Sequence, residues 1–412
     1  MREAFLRRSQ QTLLDLRLCD DPDGHLDSVV LECAPRVRNL SIACSSLSHK
    51  HQPFEPGSKF LNLESLSITA YNLPDGLFPT RPPKLRTIIL VSEKSLPALP
   101  YAALTRLVIQ QESALSINDV REALSACAST LKDLVFCIDH AWRYSSGDAL
   151  PPIHLPRLET LFARNPGYLL ELLSIPPSTA VTLEDCDHNV PDWFVSGGSW
   201  TTLALDYGAE EITAVLTESP ADARGTPRRT LRYCTTLSRE DVERAILALV
   251  PWTQLETVAL RATARMHTAM AFLAHGLRRT RGGIGRLQSV YVASRRSRKV
   301  EAVAAAVKEL GEVIGGYPEA SEVARREPLR LAKLEIWAGK RAFLEQLCIG
   351  GQPTGVERVV LHCPETAEPW VQQMQREVPQ LEVHALKGAA VKEARLPALD
   401  EAIKDGMYRW WD

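Results

Sequence analysis

One six-residue pattern, apolar at its first, fourth and sixth positions, recurs along nearly the whole chain and leaves few folds open to it. Its clearest copy is Leu63-Glu64-Ser65-Leu66-Ser67-Ile68. Before it come Leu13/Leu16/Leu18 and Val37/Leu40/Ile42; after it come Leu85/Ile88/Leu90, Leu104/Leu107/Ile109, Leu131/Leu134/Phe136 and Leu158/Leu161/Ala163. Further on stand Trp200/Leu203/Leu205, Leu255/Val258/Leu260, Leu287/Val290/Val292, Leu331/Leu334/Ile336 and Val356/Val359/Leu361. Weaker copies are Val181-Thr182-Leu183, Leu231/Tyr233 and Leu381/Val383. Between the fourth positions 16, 40, 66, 88, 107, 134 and 161 the steps are 24, 26, 22, 19, 27 and 27 residues. A single hexamer arises by chance in any globular protein, but chance does not keep this spacing through six steps.

The pattern and its spacing are those of a leucine-rich repeat, L-x-x-L-x-L at a period of roughly 20–29 residues. No single repeat can bury its own apolar positions, so stacked neighbours share one core beneath a curved parallel sheet. The expected fold is therefore an α/β leucine-rich-repeat solenoid, with the sheet on the concave face and loops and helices on the convex face. Residues 1–385 supply about 13–14 irregular repeats, and residues 386–412 a C-terminal capping helix, opened by Pro397, with the aromatic tail Tyr408-Arg409-Trp410-Trp411. Connections in the first half, such as Leu73-Pro74-Asp75-Gly76 and Arg81-Pro82-Pro83, are proline-rich and suit extended returns. Later ones read as helices. Asn118 is placed to cap Asp119–Leu124; Ser238-Arg239-Glu240-Asp241 resembles a capping box, and Pro251 ends the helix it opens; residues 298–314, 341–348 and 367–377 follow, and a short helix covers Arg2–Arg8. The step from Val290 to Leu334 (334 − 290 = 44) is long enough to hold an irregular repeat or a helical pair.

Composition sets the class of partner. Apolar residues are 45% of the 412 and charged residues 24%, with a net charge of −2, so the chain as a whole has no strong pull toward nucleic acid or membrane. The nine scattered cysteines include no Cys-x-x-Cys pair, so neither a zinc site nor a disulfide framework is signalled, and reduced, buried thiols are expected. Met1–Arg8 lacks the apolar stretch of a signal peptide and no run of 18 apolar residues occurs, so a cytoplasmic or nuclear setting without membrane is expected.

Function must then be written in the residues between the leucines. Position 5 of the hexamer, expected to face outward, reads Ser67, Ile89, Val108, Val135, Phe162, Ala204, Ala259, Tyr291, Glu335 and Val360, mostly apolar, beside a polar position 3. An exposed apolar stripe bordered by polar residues is a groove for a protein partner, with Ile89, Val108, Val135, Phe162 and Tyr291 its contact residues. A second candidate is electrostatic. The window from Arg261 to Val300 holds ten basic residues and no Asp or Glu, and Arg278, Arg279, Arg281, Arg286, Arg295, Arg296, Arg298 and Lys299 form a basic patch for an acidic partner. Its scant aromatic interleaving argues against nucleic acid. Catalytic motifs are missing: Gly282-Gly283-Ile284-Gly285 and Gly339-Lys340 lack the spacing of nucleotide loops, and neither His49 and His51 nor Asp185-Cys186-Asp187-His188 forms a recognisable metal or nucleophile motif. No catalytic residue, metal or cofactor is assigned.

Segments such as Leu155-Pro156-Arg157-Leu158-Glu159-Thr160-Leu161 and Ile175-Pro176-Pro177-Ser178-Thr179-Ala180-Val181-Thr182-Leu183 resemble the repeat region of fungal F-box-type proteins, over about residues 5–385. The resemblance implies repeats that bind a protein and an F-box that hands it to a cullin-based ubiquitin ligase. No F-box is recognisable in this sequence: residues 1–13 leave no room for it. The expectation is non-catalytic protein recognition, as a substrate-receptor relative of F-box proteins and ubiquitin-ligase adaptor; the alternatives are a scaffold tethering an acidic partner through the basic patch, and an enzyme with an unrecognised site.

Overall fold

The computed structural model describes residues 12–19, 32–44, 60–70, 82–92, 96, 101–111, 116–138, 151–166, 169–185, 190, 194, 200–207, 212–218, 229–234, 243–244, 246–247, 250–262, 266–279, 286–294, 332–338, 357–363, 372, 375–376 and 381–385. The chain divides into two compact units, Met1–Pro191 and Asp192–Asp412. Each is built on an open, mainly parallel sheet with few helices among the described residues.

In the first unit the strands are β1 (Leu14–Cys19), β2 (Val37–Cys44), β3 (Ser65–Ala70), β4 (Thr87–Ser92), β5 (Arg106–Gln111), β6 (Asp133–Ile138), β8 (Thr160–Arg164) and β10 (Ala180–Glu184), paired in that order and all parallel. The short β7 (Ile153–His154) and β9 (Leu173–Ser174) pair with each other apart from this sheet. Positions 1, 4 and 6 point into the core as the sequence predicts. From Val37 to Ala163 each copy of the triplet is between 0% and 4% exposed. Burying a leucine to that depth contributes roughly 1.5–3 kcal/mol.

How the chain enters each strand also recurs. The N–H groups of positions 2 and 3 both donate to the position-2 carbonyl of the preceding strand. Arg86 and Thr87 donate to Glu64 at 2.9 and 3.1 Å, Thr105 and Arg106 to Arg86 at 2.8 and 3.0 Å, Lys132 and Asp133 to Thr105 at 2.8 and 2.9 Å, and Glu159 and Thr160 to Lys132 at 2.7 and 3.0 Å. A tight turn precedes most of them: Leu63, Leu85, Leu104 and Leu158 donate to the carbonyls of Phe60, Pro82, Tyr101 and Leu155, three residues back. The turn at Ala103 runs at φ 63°, in the left-handed region that a Cβ disfavours. At β10 Thr179 takes the place of the leucine. It is buried, and its hydroxyl donates to the Leu158 carbonyl at 2.8 Å.

Two details differ from the sequence reading in this unit. Leu14, not Leu13, fills the first inward place, because a register shift between Leu14 and Asp15 sets Leu14 opposite Val37 and leaves Leu13 47% exposed. The helix read as capped by Asn118 runs Ile117–Cys127 with Ser116 at its N-cap and no side-chain capping bond; Asn118 lies inside it. The polar spelling Ile-Asn-Asp fits a first helical turn as well as a cap.

In the second unit the order is β13 (Arg229–Cys234), β12 (Ile212–Glu218), β11 (Trp200–Tyr207), β14 (Thr257–Ala262), β15 (Ser289–Ser294), β16 (Lys333–Ala338), β17 (Val359–Cys363) and β18 (Leu381–Ala385). β12 was not legible as a strand, and it runs antiparallel to both β11 and β13. Consequently β14 pairs with β11, and Leu231/Tyr233 belongs to a strand that lies away from β14. Spacing explains this. Tyr207 pairs with Ile212, and so short a connection can only make a hairpin, because a parallel crossover needs a dozen residues or so. β15 pairs directly with β16, Val290 opposite Leu334, so the long step between them adds no strand to the sheet there. A helix over Met266–Arg279, also unforeseen, packs on β14 with Ala269, Phe272, Leu273 and Leu277 buried. Gly276 lies against the Trp252 ring, where a Cβ would come within 2.3 Å of ring carbons. Residues 243–244 and 246–247 are helical, as are 372 and 375–376. The helices expected over 2–8, 298–314, 341–348 and the cap and tail over 386–412 lie outside the described residues, as do Ser238–Asp241. No helix among the described residues is long and apolar enough to cross a membrane.

Leu107→Ala should cost about 2–5 kcal/mol in urea unfolding, whereas Ala103→Gly, which relieves the left-handed backbone, should stabilise by about 1 kcal/mol; an Ala103→Gly variant no more stable than the native chain would contradict the strained turn.

Candidate functional site

Because positions 3, 5 and 7 of every strand share the face opposite the leucines, the register turns them into rows running across the sheet. In the first unit the position-5 row is Ser67, Ile89, Val108, Val135, Phe162 and Thr182, each opposite the next. The expected column therefore exists, but it is not an open stripe. Val108, Val135 and Phe162 are buried, at 2%, 2% and 5% exposure, while Ser67, Ile89 and Thr182 are half-buried. The β-branched and aromatic side chains chosen for this face are packed, so their apolar character reflects burial. Beside them the position-3 row is polar and knitted together: Asn39 Nδ2 donates to Asp15 Oδ1 at 2.8 Å, and Thr160 Oγ1 donates to Asp133 Oδ1 at 2.6 Å. Arg38 also holds Asp15 through two bonds, at 3.0 and 3.3 Å, which keeps the Asp15 carboxyl below the usual carboxylate range.

The second unit concentrates its charge on the same face of β15–β18. Position 5 runs Tyr291, Glu335, Val360, Glu382 and position 7 runs Ala293, Trp337, His362, His384. Of the sequence-assigned stripe, Tyr291 alone falls here, half-buried with the Lys333 ammonium 5.4 Å from its ring centroid. Glu335 is the centre. It is 9% exposed, and both oxygens are engaged: Oε2 by Lys333 Nζ at 2.5 Å and Oε1 by His362 Nε2 at 2.9 Å. The His362 ring stacks on His384, centroids 5.2 Å apart. Arg358 then grips Glu382 with two bonds, at 2.8 and 2.6 Å, and Glu382 lies 3.7 Å from His384 Nε2. Burial pushes the His362 imidazole below its ordinary value, against the pull of Glu335, while the Arg358 bond holds Glu382 down. Further along the same row Asp206 and Arg261 form a half-buried ion pair at 2.5 Å.

The basic patch is only partly in view. Arg278 and Arg279 end the helix Met266–Arg279, and Arg286 is exposed. Arg281, Arg295, Arg296, Arg298 and Lys299 lie outside the described residues, as do His49, His51, Cys186 and His188. Asp185 follows β10 in left-handed backbone and faces Arg164 at 3.7 Å. The thiols of Cys33, Cys127 and Cys137 are buried and that of Cys19 is exposed; burial pushes Cys127 up to about 12, so it does not ionise near neutrality. Among the described residues no group of three or more His, Cys, Asp or Glu is arranged to hold a metal ion.

His362, His384 and Glu382 were not picked out from the sequence. The signal was available: the period of two that gives positions 3 and 5 continues to position 7, where two histidines stand in adjacent strands. Neither a protein-family model nor a curated protein matches the chain.

Two outcomes follow from this geometry. Phe162→Asp should forfeit about 3–5 kcal/mol of packing before any cost of burying a carboxylate, read as a fall in urea midpoint; an unchanged midpoint would mean the face is open. Stability should also fall with acidification. Above the ordinary imidazole value His362 is neutral in both states; below it the unfolded chain takes up the proton first, so stability drops until the depressed folded value is passed. His362→Gln should flatten the unfolding free energy against pH in that window.

Proposed function

We propose that this chain is a non-catalytic recognition protein, a leucine-rich-repeat solenoid that reads a protein partner with the outward face of its sheets. The observation that supports this reading most is the contrast between the two faces. From Val37 to Ala163 positions 1, 4 and 6 are buried apolar residues, and positions 3, 5 and 7 in register beside them vary from strand to strand. A repeated inward set builds a scaffold, and a varied outward set gives each strand a different contact. Half-buried positions such as Ile89 and Tyr291 suit the contact role better than the buried Val108, Val135 and Phe162. The resemblance to the repeat region of fungal F-box-type proteins suggests a partner destined for a cullin-based ubiquitin ligase, in the cytoplasm or nucleus. The rival scaffold reading draws on the exposed Arg286 and the arginines ending the helix Met266–Arg279.

The test is quantitative affinity purification of the full chain from its native cells, beside a Ser41→Arg/Ser67→Arg/Ile89→Arg variant. These three positions lie opposite one another on β2, β3 and β4 and are half-buried. Recognition by this face predicts at least about a tenfold loss of the specific partner with a melting curve close to native. Ligase subunits among the retained proteins support the receptor reading; retention of every partner by the variant overturns recognition through these strands.

A further inference from the structure

β1 stands at the end of the first unit's sheet: among the described strands it pairs on one side only, with β2. Two features mark its other side as unfinished. Leu16 and Leu18 are half-buried, whereas their counterparts Leu40 and Ile42 are 1% and 4% exposed, and Leu66 and Ile68 are both 0% exposed. The backbone is also turned outward. In β4, β5, β6 and β8 the position-3 N–H donates to the preceding strand. The corresponding residue of β1 is Asp15, opposite Asn39, and alternation along the strand gives Arg17 the same orientation. The N–H and C=O groups of Asp15 and Arg17 therefore face the side where no described strand lies, a row open to a further strand.

The side chains select the strand that fits. Asp15 and Arg17 are both exposed on the outward face. Arg38 and Asn39 hold the Asp15 carboxylate with three bonds, and of its roughly four acceptor sites one is left. A second β1 laid antiparallel about a twofold axis must set edge-facing residues opposite edge-facing residues. The axis then passes at Asp15, at Leu16 or at Arg17. At Asp15 it opposes two carboxylates and at Arg17 two guanidiniums, and like charges directly opposite are destabilising. At Leu16 it sets Asp15 opposite Arg17 of the second copy, twice by symmetry. The same axis places Leu16 opposite Leu16 and Leu14 opposite Leu18 on the core side. One register thus completes the hydrogen bonds, pairs opposite charges and covers the half-buried leucines.

We infer that this chain forms a twofold dimer in which β1 pairs antiparallel with β1 of a second copy, centred on Leu16, so that the two sheets join into one. The inference goes beyond the recognition reading and does not depend on it. Such a contact is isologous and closed, which limits assembly to two copies. The six residues of β1 make a small contact, so the association belongs to the weak, reversible class.

The experiment is sedimentation velocity on the full chain from low to high micromolar concentration. The native chain, 45.7 kDa as a monomer, is expected to move toward twice that mass as the concentration rises. Arg17→Glu sets carboxylates face to face at both symmetric contacts and should weaken association about tenfold or more. Arg17→Lys keeps the charge and should keep the dimer. Arg17→Pro removes an edge-facing N–H and should abolish pairing. Arg17 is exposed, so the Glu and Lys variants should melt close to native; should Arg17→Pro melt early, those two decide the matter. A native chain that stays monomeric at the top of the range, as when another segment or another protein occupies this edge, overturns the inference. So does a folded Arg17→Glu variant that associates as tightly as the native chain, or an Arg17→Lys variant as weak as Arg17→Glu.

Discussion

The strands β4, β5, β6 and β8 are each tied to the one before by one carbonyl that accepts two bonds. Positions 2 and 3 precede or open the strand, so their N–H groups would otherwise meet no ladder partner inside a packed layer. Donating both to the position-2 oxygen of the preceding strand satisfies them and fixes how far one strand can slide along the next. Once that is fixed, the hexamer begins at the same height in each of these strands, and its three apolar residues land on those of its neighbour. The same arrangement recurs where Gln288 and Ser289 donate to Glu256 in the second unit. Core packing is thus a consequence of register, and register is set by a hydrogen bond that no side chain makes.

That dependence explains what could be read from the sequence. Leu63, Leu66 and Ile68 could be placed because inward positions must be apolar wherever the register holds. Leu13 could not be told from Leu14, since both are leucines and only a bulge decides between them. The hairpin of β11, β12 and β13 hid for a related reason: Ile212, Ala214 and Leu216 are apolar like any inward strand, and the direction of the strand lies in the length of the loop, not in its own spelling. The helix Met266–Arg279 was masked by its charge. Its arginines drew attention as a patch, while Phe272, Leu273 and Leu277 supplied an ordinary buried stripe.

The outward face was the least legible part. A row of Val108, Val135 and Phe162 has the same composition whether it lines a groove or is packed under other residues, because strands favour such side chains in either case. Exposure is a tertiary property, and no local pattern reports it. Position 7 was overlooked because the hexamer ends at position 6, although the strands themselves do not.

The cluster around Glu335 shows how a buried charge constrains its neighbours. A carboxylate at 9% exposure is tolerable only with its oxygens engaged, and here Lys333 takes one and His362 the other. Lys333 could satisfy the charge alone; the imidazole adds a partner whose own charge depends on pH. Its burial disfavours protonation and its bond to Glu335 favours it, so the ring sits between two opposed effects of which burial is the larger. The neighbouring His384 ring, stacked 5.2 Å away, acts on His362 in the same direction as burial.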